Sequence, residues 1–400
     1  MTAFDVLVVG GGPAGATSAL VLARAGLRVA VVEKAAFPRR KVCGEFISAT
    51  TWPLLRVLGV APRLLESAGP PVRRVGLFAG DVVVDSPMPA PISADAWGRA
   101  VGREHLDFAL LEAAERAGAS LWQPWSATAL EEGREGCRVT IADRDGVLRE
   151  LRASVVVAAH GSWERGELPT QRGERRHRAA DLLGFKAHFL ASRLPEALMP
   201  LVVFPGGYGG LVHSDGERTS FSCCVRRETL RRCRGAHPGL AAGEALLMHV
   251  IESCRGVRES LAGAHRESAW LSAGPIRPGI RPLARGRVFV VGNAAGEAHP
   301  LVAEGISMAI QSGWVLGECL AGSGSLSNDA LREAGERYAE GWRANFANRV
   351  RVSSLFAALT MSRATAAASI AAMRGVPAIL TWGARWCGKA HAPRPAEVSP

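Results

Sequence analysis

The start of the chain contains two short apolar runs separated by a glycine turn and a longer apolar segment. Asp5–Val9 and Arg28–Val32 have the length of buried β-strands, and Pro13–Ala25 has the length and composition of a buried helix. The order strand, helix, strand predicts a βαβ unit. The chain therefore begins as α/β folds do.

Later segments continue the pattern of helices and buried strands. His105–Ala117 predicts a helix with one apolar face, and Val139–Ile141 with Leu148–Ala153 predicts a hairpin. Val155–Ala159 and Val288–Val291 are short apolar runs typical of buried strands. The last run lies far along the chain, which indicates that the first domain is interrupted by an insertion.

The pattern changes between those last two runs. Leu183–Arg226 alternates apolar and polar residues, which predicts antiparallel strands in an inserted sheet. A long helix is predicted after Gly305, and Asn328–Phe346 predicts a capped amphipathic helix. Residues 349–389 predict further tail helices.

The composition excludes several classes of protein. The 400 residues are 48% hydrophobic and 21% charged, which rules out a disordered chain. The formal net charge of +11 favours anionic partners, namely a phosphate-bearing cofactor, an acidic protein or a membrane surface. Because there are only 2 Tyr and no basic-aromatic module, nucleic-acid binding is not expected.

The cysteines and the first residues bear on metals and on compartment. The 8 Cys include no CxxC pair, so no metal site is expected. Residues 1–5 contain no basic residue and the apolar run after them is broken by glycines, so we expect no secretory signal. Both features predict a cytoplasmic protein with reduced thiols.

A glycine-rich turn, Gly10–Gly15, has the spacing GxGxxG and stands between the first predicted strand and helix. In this fingerprint Gly10 permits a sharp turn, Gly12 admits a pyrophosphate to the backbone, and Gly15 lets helix and strand pack closely. The helix N-terminus adds a favourable dipole. Glu33, at the end of the second strand, can accept hydrogen bonds from a ribose. The motif predicts a dinucleotide, either NAD or FAD.

One long segment resembles the second FAD motif of the geranylgeranyl reductase family, Val288–Gly313 (VFVVGNAAGEAHPLVAEGISMAIQSG). That family shares the fold of para-hydroxybenzoate hydroxylase. Further matches are the family's Cys-Gly segment in Lys41–Glu45, its flavin-contacting arginine in Arg103, its Asp-Gly segment in Ala158–Ser162 and its substrate-sheet turn in Phe204–Gly210. The resemblance extends from residue 5 to about residue 315 and implies that the dinucleotide is FAD.

The resemblance implies an α/β architecture with three parts. These are a Rossmann-like FAD-binding domain, an inserted antiparallel β-sheet domain for the substrate and a C-terminal helical tail. We assign residues 1–75, 100–162 and 275–325 to the first part, residues 76–99 and 163–274 to the second, and residues 326–400 to the third.

The resemblance also implies the residues of the site. The substrate is expected between the flavin and the inserted sheet, near the candidate catalytic residues Cys43, Tyr208 and His299. Cys43 could position the substrate or donate a proton, and His299 is a candidate proton donor because the intrinsic pKa of histidine lies near neutrality. Simple packing roles are the alternative for both. The expected cofactor-binding residues are Gly10, Gly12, Pro13, Ala14, Gly15, Glu33, Lys34, Lys41, Arg103, Gly292, Asn293, Gly305 and Ile306.

Several departures from the family pattern bear on the reaction. Asn293 stands where the family usually has the Asp that holds the ribityl chain, and an amide can still accept a hydrogen bond. His160 replaces an Asp that assists NADPH and FAD in the hydroxylases of this group, which argues against a direct transfer of their mechanism. The Trp-x-Trp-x-Ile-Pro signature of flavin halogenases is absent, and so is a second Rossmann fingerprint for a stably bound NAD(P)H.

These features leave three functional interpretations. The leading one is an FAD-dependent oxidoreductase that reduces or dehydrogenates a hydrophobic small organic molecule in specialised or lipid metabolism, with NAD(P)H as a transient electron donor. The first alternative is a flavin-dependent monooxygenase that hydroxylates such a molecule. The second is an electron-transfer flavoprotein that acts through a protein partner and needs no organic pocket.

Two basic regions suggest partners. Arg226–Arg234 contains 5 Arg, which predicts either a solvated face or a docking site for an acidic carrier or electron-donor protein. Arg349–Lys389 mixes apolar turns with arginines. These tail helices could cover the core, close the substrate cavity or make a peripheral contact with a membrane surface.

Overall fold

The structure is a computed structural model that describes residues 3–91, 97–163, 166–171 and 177–389, so residues 390–400 of the predicted helical tail lie outside it. Its strands are β1 (Ala3–Val9), β2 (Val29–Val32), β3 (Phe46–Ile47), β4 (Arg74–Ala79), β5 (Val82–Pro87), β6 (Arg99–Ala100), β7 (Ser120–Trp122), β8 (Ser126–Glu132), β9 (Cys137–Ala142), β10 (Leu148–Ala158), β11 (Leu182–Leu190), β12 (Leu198–Phe204), β13 (Gly207–His213), β14 (Thr219–Arg226), β15 (His265–Arg266), β16 (Leu271–Ile276), β17 (Gly279–Ile280), β18 (Ala284–Arg285), β19 (Val288–Val290) and β20 (Gly296–Glu297). Its α-helices are α1 (Pro13–Arg24), α2 (Trp52–Val57), α3 (Ala61–Ser67), α4 (Arg103–Arg116), α5 (Arg227–Ala236), α6 (Ala242–Ser253), α7 (Arg255–Ser260), α8 (Gly305–Ala321), α9 (Asn328–Trp342), α10 (Asn348–Met361), α11 (Arg363–Gly375) and α12 (Ala378–Ala384).

The apolar runs of the first half form an eight-stranded sheet together with β18 and β19, which come from residues 284–290. Its main path is β18-β19-β10-β1-β2-β7, and β9 and β8 extend it from β10. β1 pairs in parallel with β10 on one side and with β2 on the other. Val6 and Val8 in β1 are fully buried, as expected for a parallel sheet that is covered on both faces. The predicted βαβ unit is confirmed.

The predicted hairpin strand and the parallel strand after it are one continuous strand, β10. Leu148–Ala153 pairs antiparallel with β9, whereas Val155–Ala158 pairs in parallel with β1. The prediction of two separate strands was therefore wrong. The two halves differ in pattern because the first half is partly exposed and the second half is completely buried.

Helices α1 and α8 pack on each other with their backbones close together. Ser18 in α1 donates from Oγ to the carbonyl oxygen of Gly313 in α8 at 3.1 Å. A Cβ at Gly313 would stand 2.3 Å from the carbonyl oxygen of Ala14, so no larger residue fits there. Both helices begin at residues that line one cavity, Pro13 and Gly305.

The inserted segment forms a second eight-stranded sheet. Its path is β15-β11-β14-β13-β12-β4-β5, with β16 also paired to β11. The pairs are antiparallel, as the sequence predicts, except that β4 lies parallel to β12. The exception arises because β4 comes from residues 74–79, well before the main insertion.

Helices cover both faces of this second sheet. Val202 of β12 and Phe78, its paired residue on β4, pack in one hydrophobic core with Val250 of α6 and Val257 of α7. α5 to α7 were not predicted, because in α5 the buried Leu230 and Cys233 are isolated among arginines. The next residues along the two strands, Leu77 and Val203, point to the opposite face of the sheet. There they pack against Leu380 of α12.

The tail begins with the amphipathic helix that the sequence predicts. The Oγ of Ser327 accepts a hydrogen bond from the backbone N–H of Ala330 and caps α9. A π-helical turn, Arg343–Ala347, joins α9 to α10. Among the described residues, no single helix has the length and apolar composition to span a membrane. One bent pair, Asn328–Met361 with Ala364–Gly375, meets that length and composition test when its two helices are taken together.

Candidate cofactor and substrate site

One large cavity lies between the two sheets and beneath the tail helices. Its volume is about 1080 Å³, room for a dinucleotide together with a further molecule. All the predicted cofactor-binding residues except Gly15 line it. Cys43 and Tyr208 line it as well, whereas His299 reaches it only through its contact with Tyr208.

The glycine turn forms one end of this cavity. Gly10 has a φ of +107°, and a Cβ there would stand 2.6 Å from the carbonyl oxygen of Ala159. A Cβ at Gly15 would stand 1.9 Å from the Gly10 carbonyl oxygen, so α1 could not pack on β1. Gly12 differs, because the atom nearest to its Cβ position is the Arg103 Nη2 at 3.9 Å. A side chain at residue 12 would therefore project into the cavity rather than into the protein.

The Glu33 carboxylate is held in place at the end of β2. Its Oε2 accepts the backbone N–H of Gly11 at 2.8 Å, and its Oε1 accepts that of Ala35 at 2.9 Å. Arg39 lies 3.6 Å from Oε2. Each carboxylate oxygen can accept a second hydrogen bond, so Glu33 is oriented and can still receive a ribose hydroxyl.

Two guanidinium groups stand over the glycine turn. Arg103 donates from Nε and Nη2 to the two carboxylate oxygens of Asp107, each at 2.7 Å. Burial alone would lower the pKa of Arg103, but the charge of Asp107 outweighs burial and keeps the group protonated. Arg39 lies 3.5 Å from Asp107 and also lines the cavity. Arg39 was not predicted as a site residue, although it lies in a visible basic run before Cys43.

The opposite side of the cofactor end comes from the segment after β19. Gly292 has a φ of +61°, and a Cβ there would stand 2.8 Å from the Cβ of Ala14. The Asn293 amide donates from Nδ2 to Glu297 Oε1 at 3.2 Å. Gly305 begins the 17-residue helix α8, and no atom lies within 4 Å of its Cβ position. The N-termini of α1 and α8 therefore both border open space, as an anionic group requires.

The two departures in sequence are accommodated differently. Asn293 is tied to Glu297 within its own segment. His160 lies at the cavity wall, where its Nδ1 donates to the Gly161 carbonyl and its Nε2 accepts from the Thr170 hydroxyl, both at 2.9 Å. These bonds hold the ring in one orientation at the cavity wall.

The substrate end contains few polar groups. The Sγ of Cys43 accepts the backbone N–H of Glu45 at 3.4 Å. The Tyr208 hydroxyl donates to His299 Nδ1 at 2.6 Å. Burial raises the pKa of Tyr208 well above its usual value and lowers the pKa of His299 to about 4. At neutral pH the phenol is therefore protonated and the imidazole is neutral, so the Tyr208 hydroxyl holds the proton of this hydrogen bond.

A buried ionic cluster beside Cys43 was missed by the sequence analysis. The carboxylate of Glu45 pairs with Lys186 Nζ, and its Oε2 lies 2.8 Å from His188 Nε2. All three side chains are almost completely buried. Burial would raise the pKa of Glu45, but the hydrogen bond from His188 and the charge of Lys186 outweigh it and lower the pKa to about 2. The signal was present, because Lys186 and His188 alternate within an otherwise apolar strand and so share one face.

The Glu45 cluster joins the two halves of the molecule. Glu45 follows the basic loop of the first domain and has a φ of +62°, which is unusual for a residue with a side chain. Lys186 and His188 belong to β11 of the second sheet. The ion pairs thus hold a strained backbone whose N–H faces Cys43.

Fold and site together define a dinucleotide-binding flavoprotein. The sequence matches the family described as "FAD binding domain" over residues 3–348, so the chain belongs to that family and is an FAD-dependent oxidoreductase. The residues present fit FAD. The N-terminus of α1, which has no side-chain cap, the open turn at Gly12 and the guanidinium groups of Arg39 and Arg103 would hold a pyrophosphate, and Glu33 would accept a ribose hydroxyl.

Known proteins of similar sequence include two reductases. The chain is 27% identical to a menaquinone reductase of Mycobacterium tuberculosis over 79% of this chain and 76% of that protein. It is 26% identical to digeranylgeranylglycerophospholipid reductase 1 of Methanothermobacter thermautotrophicus over 84% of this chain and 81% of that protein. The predicted resemblance to geranylgeranyl reductases is confirmed.

Among solved structures, a flavin-dependent brominase has the same fold. It superposes with a TM-score of 0.76 at 16% identity, covering 97% of this chain and 94% of the brominase. At this identity the likeness shows the architecture alone. The predicted fold class is confirmed by this match and by the observed sheets and helical tail.

Proposed function

We propose that this FAD-dependent oxidoreductase reduces a carbon–carbon or related double bond of a hydrophobic small organic molecule, or catalyses the reverse dehydrogenation, in lipid or specialised metabolism. NAD(P)H is the proposed electron donor and binds transiently. The observation that carries the proposal is the apolar second half of the cavity. It is walled by Phe185, Leu211 and Val212 from the second sheet and by Phe356, Leu359, Met373 and Ile379 from the tail.

The shape of this half favours an organic substrate over simple electron transfer to a protein. A flavoprotein that only passes electrons to a partner needs no enclosed apolar pocket. An apolar pocket with a few polar groups is the usual form of a small-molecule site. The names of the two related reductases, one of a menaquinone and one of a phospholipid, are consistent with a lipophilic substrate.

The proposed reaction adds one hydride and one proton across the double bond. Bound FAD supplies the hydride equivalent after reduction by its donor. Tyr208 supplies the proton, because its hydroxyl is protonated at neutral pH and lies at the cavity wall. His299 accepts the hydrogen bond of that hydroxyl at Nδ1 and so orients the phenol before its proton passes to the substrate.

Cys43 has a positioning role in this scheme. The Glu45 N–H, only 3.4 Å away, fixes the thiol at the border between the glycine end and the apolar end. From that position a small, polarisable side chain can hold the reacting bond against the redox centre. Glu45 acts through Cys43, since its ion pairs set the backbone that donates to the thiol.

Product mass tests the proposal. The FAD-loaded protein is incubated with NADH or NADPH and a panel of isoprenoid quinones, polyprenyl lipids and lipophilic phenols, with and without oxygen. A change of two hydrogens, in the absence of oxygen, supports the proposal. A gain of one oxygen that requires O₂ supports the monooxygenase alternative and contradicts it. Turnover of no panel member, together with rapid reduction by a protein donor, supports electron transfer.

A further inference from the structure

The helices that close the apolar half of the cavity also carry an exposed apolar patch. Trp382 is 55% exposed and Trp386 is 66% exposed. They lie four residues apart where α12 continues into a π-helical turn, so they share one side of the helix. Leu355 and Val376 add side chains that are 58% and 49% exposed. We call these four residues the tail patch.

The parts of the tail patch come together through packing of α10 on α12. The ring of Phe356 lies 3.7 Å from the Cβ position of Gly383, which follows Trp382. Leu355 precedes Phe356 on α10, so the helix that carries it packs on the helix that carries Trp382. The patch is thus a surface formed by several tail helices.

The charged residues of the tail segment that carries the patch all have one sign. Residues 341–389 contain no Asp and no Glu. Among the side chains of this segment whose burial the structure describes, the exposed basic ones are Arg343, Arg351, Arg374 and Arg385. By contrast, the inward-facing Arg349 and Lys389 both pair with Glu304, at 3.6 and 2.8 Å. On the inner face of the tail, Glu304 neutralises the positive charge of Arg349 and Lys389. On the outer face, residues 341–389 supply no acidic side chain to neutralise the arginines.

We propose that the tail patch docks on an anionic phospholipid bilayer. Tryptophans partition to the boundary between headgroups and acyl chains, and arginines beside them are attracted to anionic headgroups. Leu359, Met373 and Ile379 line the cavity, and each lies three or four residues from a member of the tail patch. A bilayer on the tail patch would therefore lie next to the helices that wall the apolar half. A protein partner would account for the patch but not for this adjacency.

Docking stands independently of the reaction, while delivery of the substrate from the bilayer rests on the proposed function. A lipophilic molecule dissolved in the bilayer would reach the cavity by passing between α10, α11 and α12. The test below measures docking without substrate, so a failure of docking and a failure of the proposed reaction are distinguishable.

Flotation with vesicles tests docking directly. The FAD-loaded protein is mixed with phosphatidylcholine vesicles that contain or lack phosphatidylglycerol, and the bound fraction is measured at low and high salt. We expect binding to the vesicles with phosphatidylglycerol that weakens with salt. Trp382→Ala with Trp386→Ala should weaken binding about tenfold or more. Arg374→Gln with Arg385→Gln should weaken it about tenfold at low salt.

Matched variants elsewhere on the surface make the result specific. Val147→Ala with Leu148→Ala removes two exposed apolar side chains at the turn between β9 and β10, close to Asp143 and Asp145. Arg231→Gln with Arg234→Gln removes two exposed arginines on α5. Both should bind vesicles as the unaltered protein does, and all variants should retain FAD. Equal loss in these controls would assign binding to net charge and overturn the proposal. Absence of vesicle binding would overturn it too. Self-association that the tryptophan variant abolishes, without vesicle binding, would assign the patch to contacts between copies of this chain and would also overturn the proposal.

Discussion

The two ends of the cavity are constructed differently. The cofactor end is made largely of backbone, and its critical positions, Gly10, Gly12 and Gly15, lie within one turn of six residues. The substrate end is made of side chains from a loop at Cys43, a strand at Tyr208 and the tail helices. A local backbone shape can serve many flavoproteins, whereas a wall assembled from distant segments can change with each substrate. The comparison predicts that substitutions at one end should leave the other intact.

Gly12→Val should have the largest effect and should be confined to the cofactor end. Because the nearest atom to the Gly12 Cβ position is 3.9 Å away, the new side chain would fill cavity space and the protein would still fold. We expect nearly complete loss of bound FAD, measured as the ratio of flavin to protein after purification. Gly235→Val on α5, where no atom lies within 4 Å, is the control. Full retention of FAD in the Gly12 variant would show that the pyrophosphate does not bind at this turn.

Glu45→Gln should lower the stability of the junction between the two ends. It leaves Lys186 and His188 buried without their carboxylate, which typically costs about 3–5 kcal/mol in the free energy of unfolding. Asp85→Asn is the control, since its pair with Arg74 lies on the surface and should contribute little to stability. Thermal unfolding measures both. Equal shifts in the two variants would contradict the role given to the buried cluster.

The same carboxylate predicts a dependence of stability on pH. The pKa of Glu45 is about 2 in the folded protein, below its ordinary value of 4.5. The contribution of Glu45 should therefore be fully present above pH 4.5 and lost as the pH falls towards 2. The melting temperatures of the unaltered protein and the Gln variant should converge over that range. A constant difference would show that Glu45 does not titrate as described.

Glu33→Ala should weaken FAD binding less than Gly12→Val does. It removes a charged acceptor from the ribose, worth about 1.5–3 kcal/mol, or roughly ten- to a hundredfold in affinity. Glu33→Gln keeps one acceptor and should fall in between. Titration of apoprotein with FAD gives the dissociation constants. If the affinity of the Ala variant were unchanged, the ribose would have to lie elsewhere.

Substitutions at Tyr208 and His299 should affect turnover and leave FAD in place. Tyr208→Phe removes the acid, and a loss of about tenfold or more in kcat is expected. His299→Ala should have a smaller effect, because the phenol keeps its proton without the imidazole. Since the pKa of His299 is about 4, the rate should show no histidine step between pH 6 and 8. A step near pH 6.5 that disappears in His299→Ala would reassign proton donation to the imidazolium.

The cofactor end could be predicted from the sequence because its physics is local. The positive φ of Gly10, the clash of a Cβ at Gly15 with the Gly10 carbonyl and the position of Glu33 after a strand all depend on residues close in the chain. The substrate end could be predicted only in part, because the contacts of Tyr208 with His299 and of Glu45 with Lys186 join residues 91 and 141 positions apart. Helices α5 to α7 were missed for a related reason, since their apolar positions are sparse and become a core only against the second sheet.

One substitution tests the independence of the two ends most directly. Met373→Arg places a charge in the apolar wall formed by α11, and Val376→Arg places the same charge on the exposed side as a control. The measurement is anaerobic turnover of the most active panel compound together with the ratio of FAD to protein. With detergent-solubilised substrate, we expect Met373→Arg to retain FAD and to lose turnover about tenfold or more. The turnover and FAD content of Val376→Arg should equal those of the unaltered protein. Unchanged turnover in Met373→Arg with FAD bound would contradict the placement of the substrate in this half of the cavity.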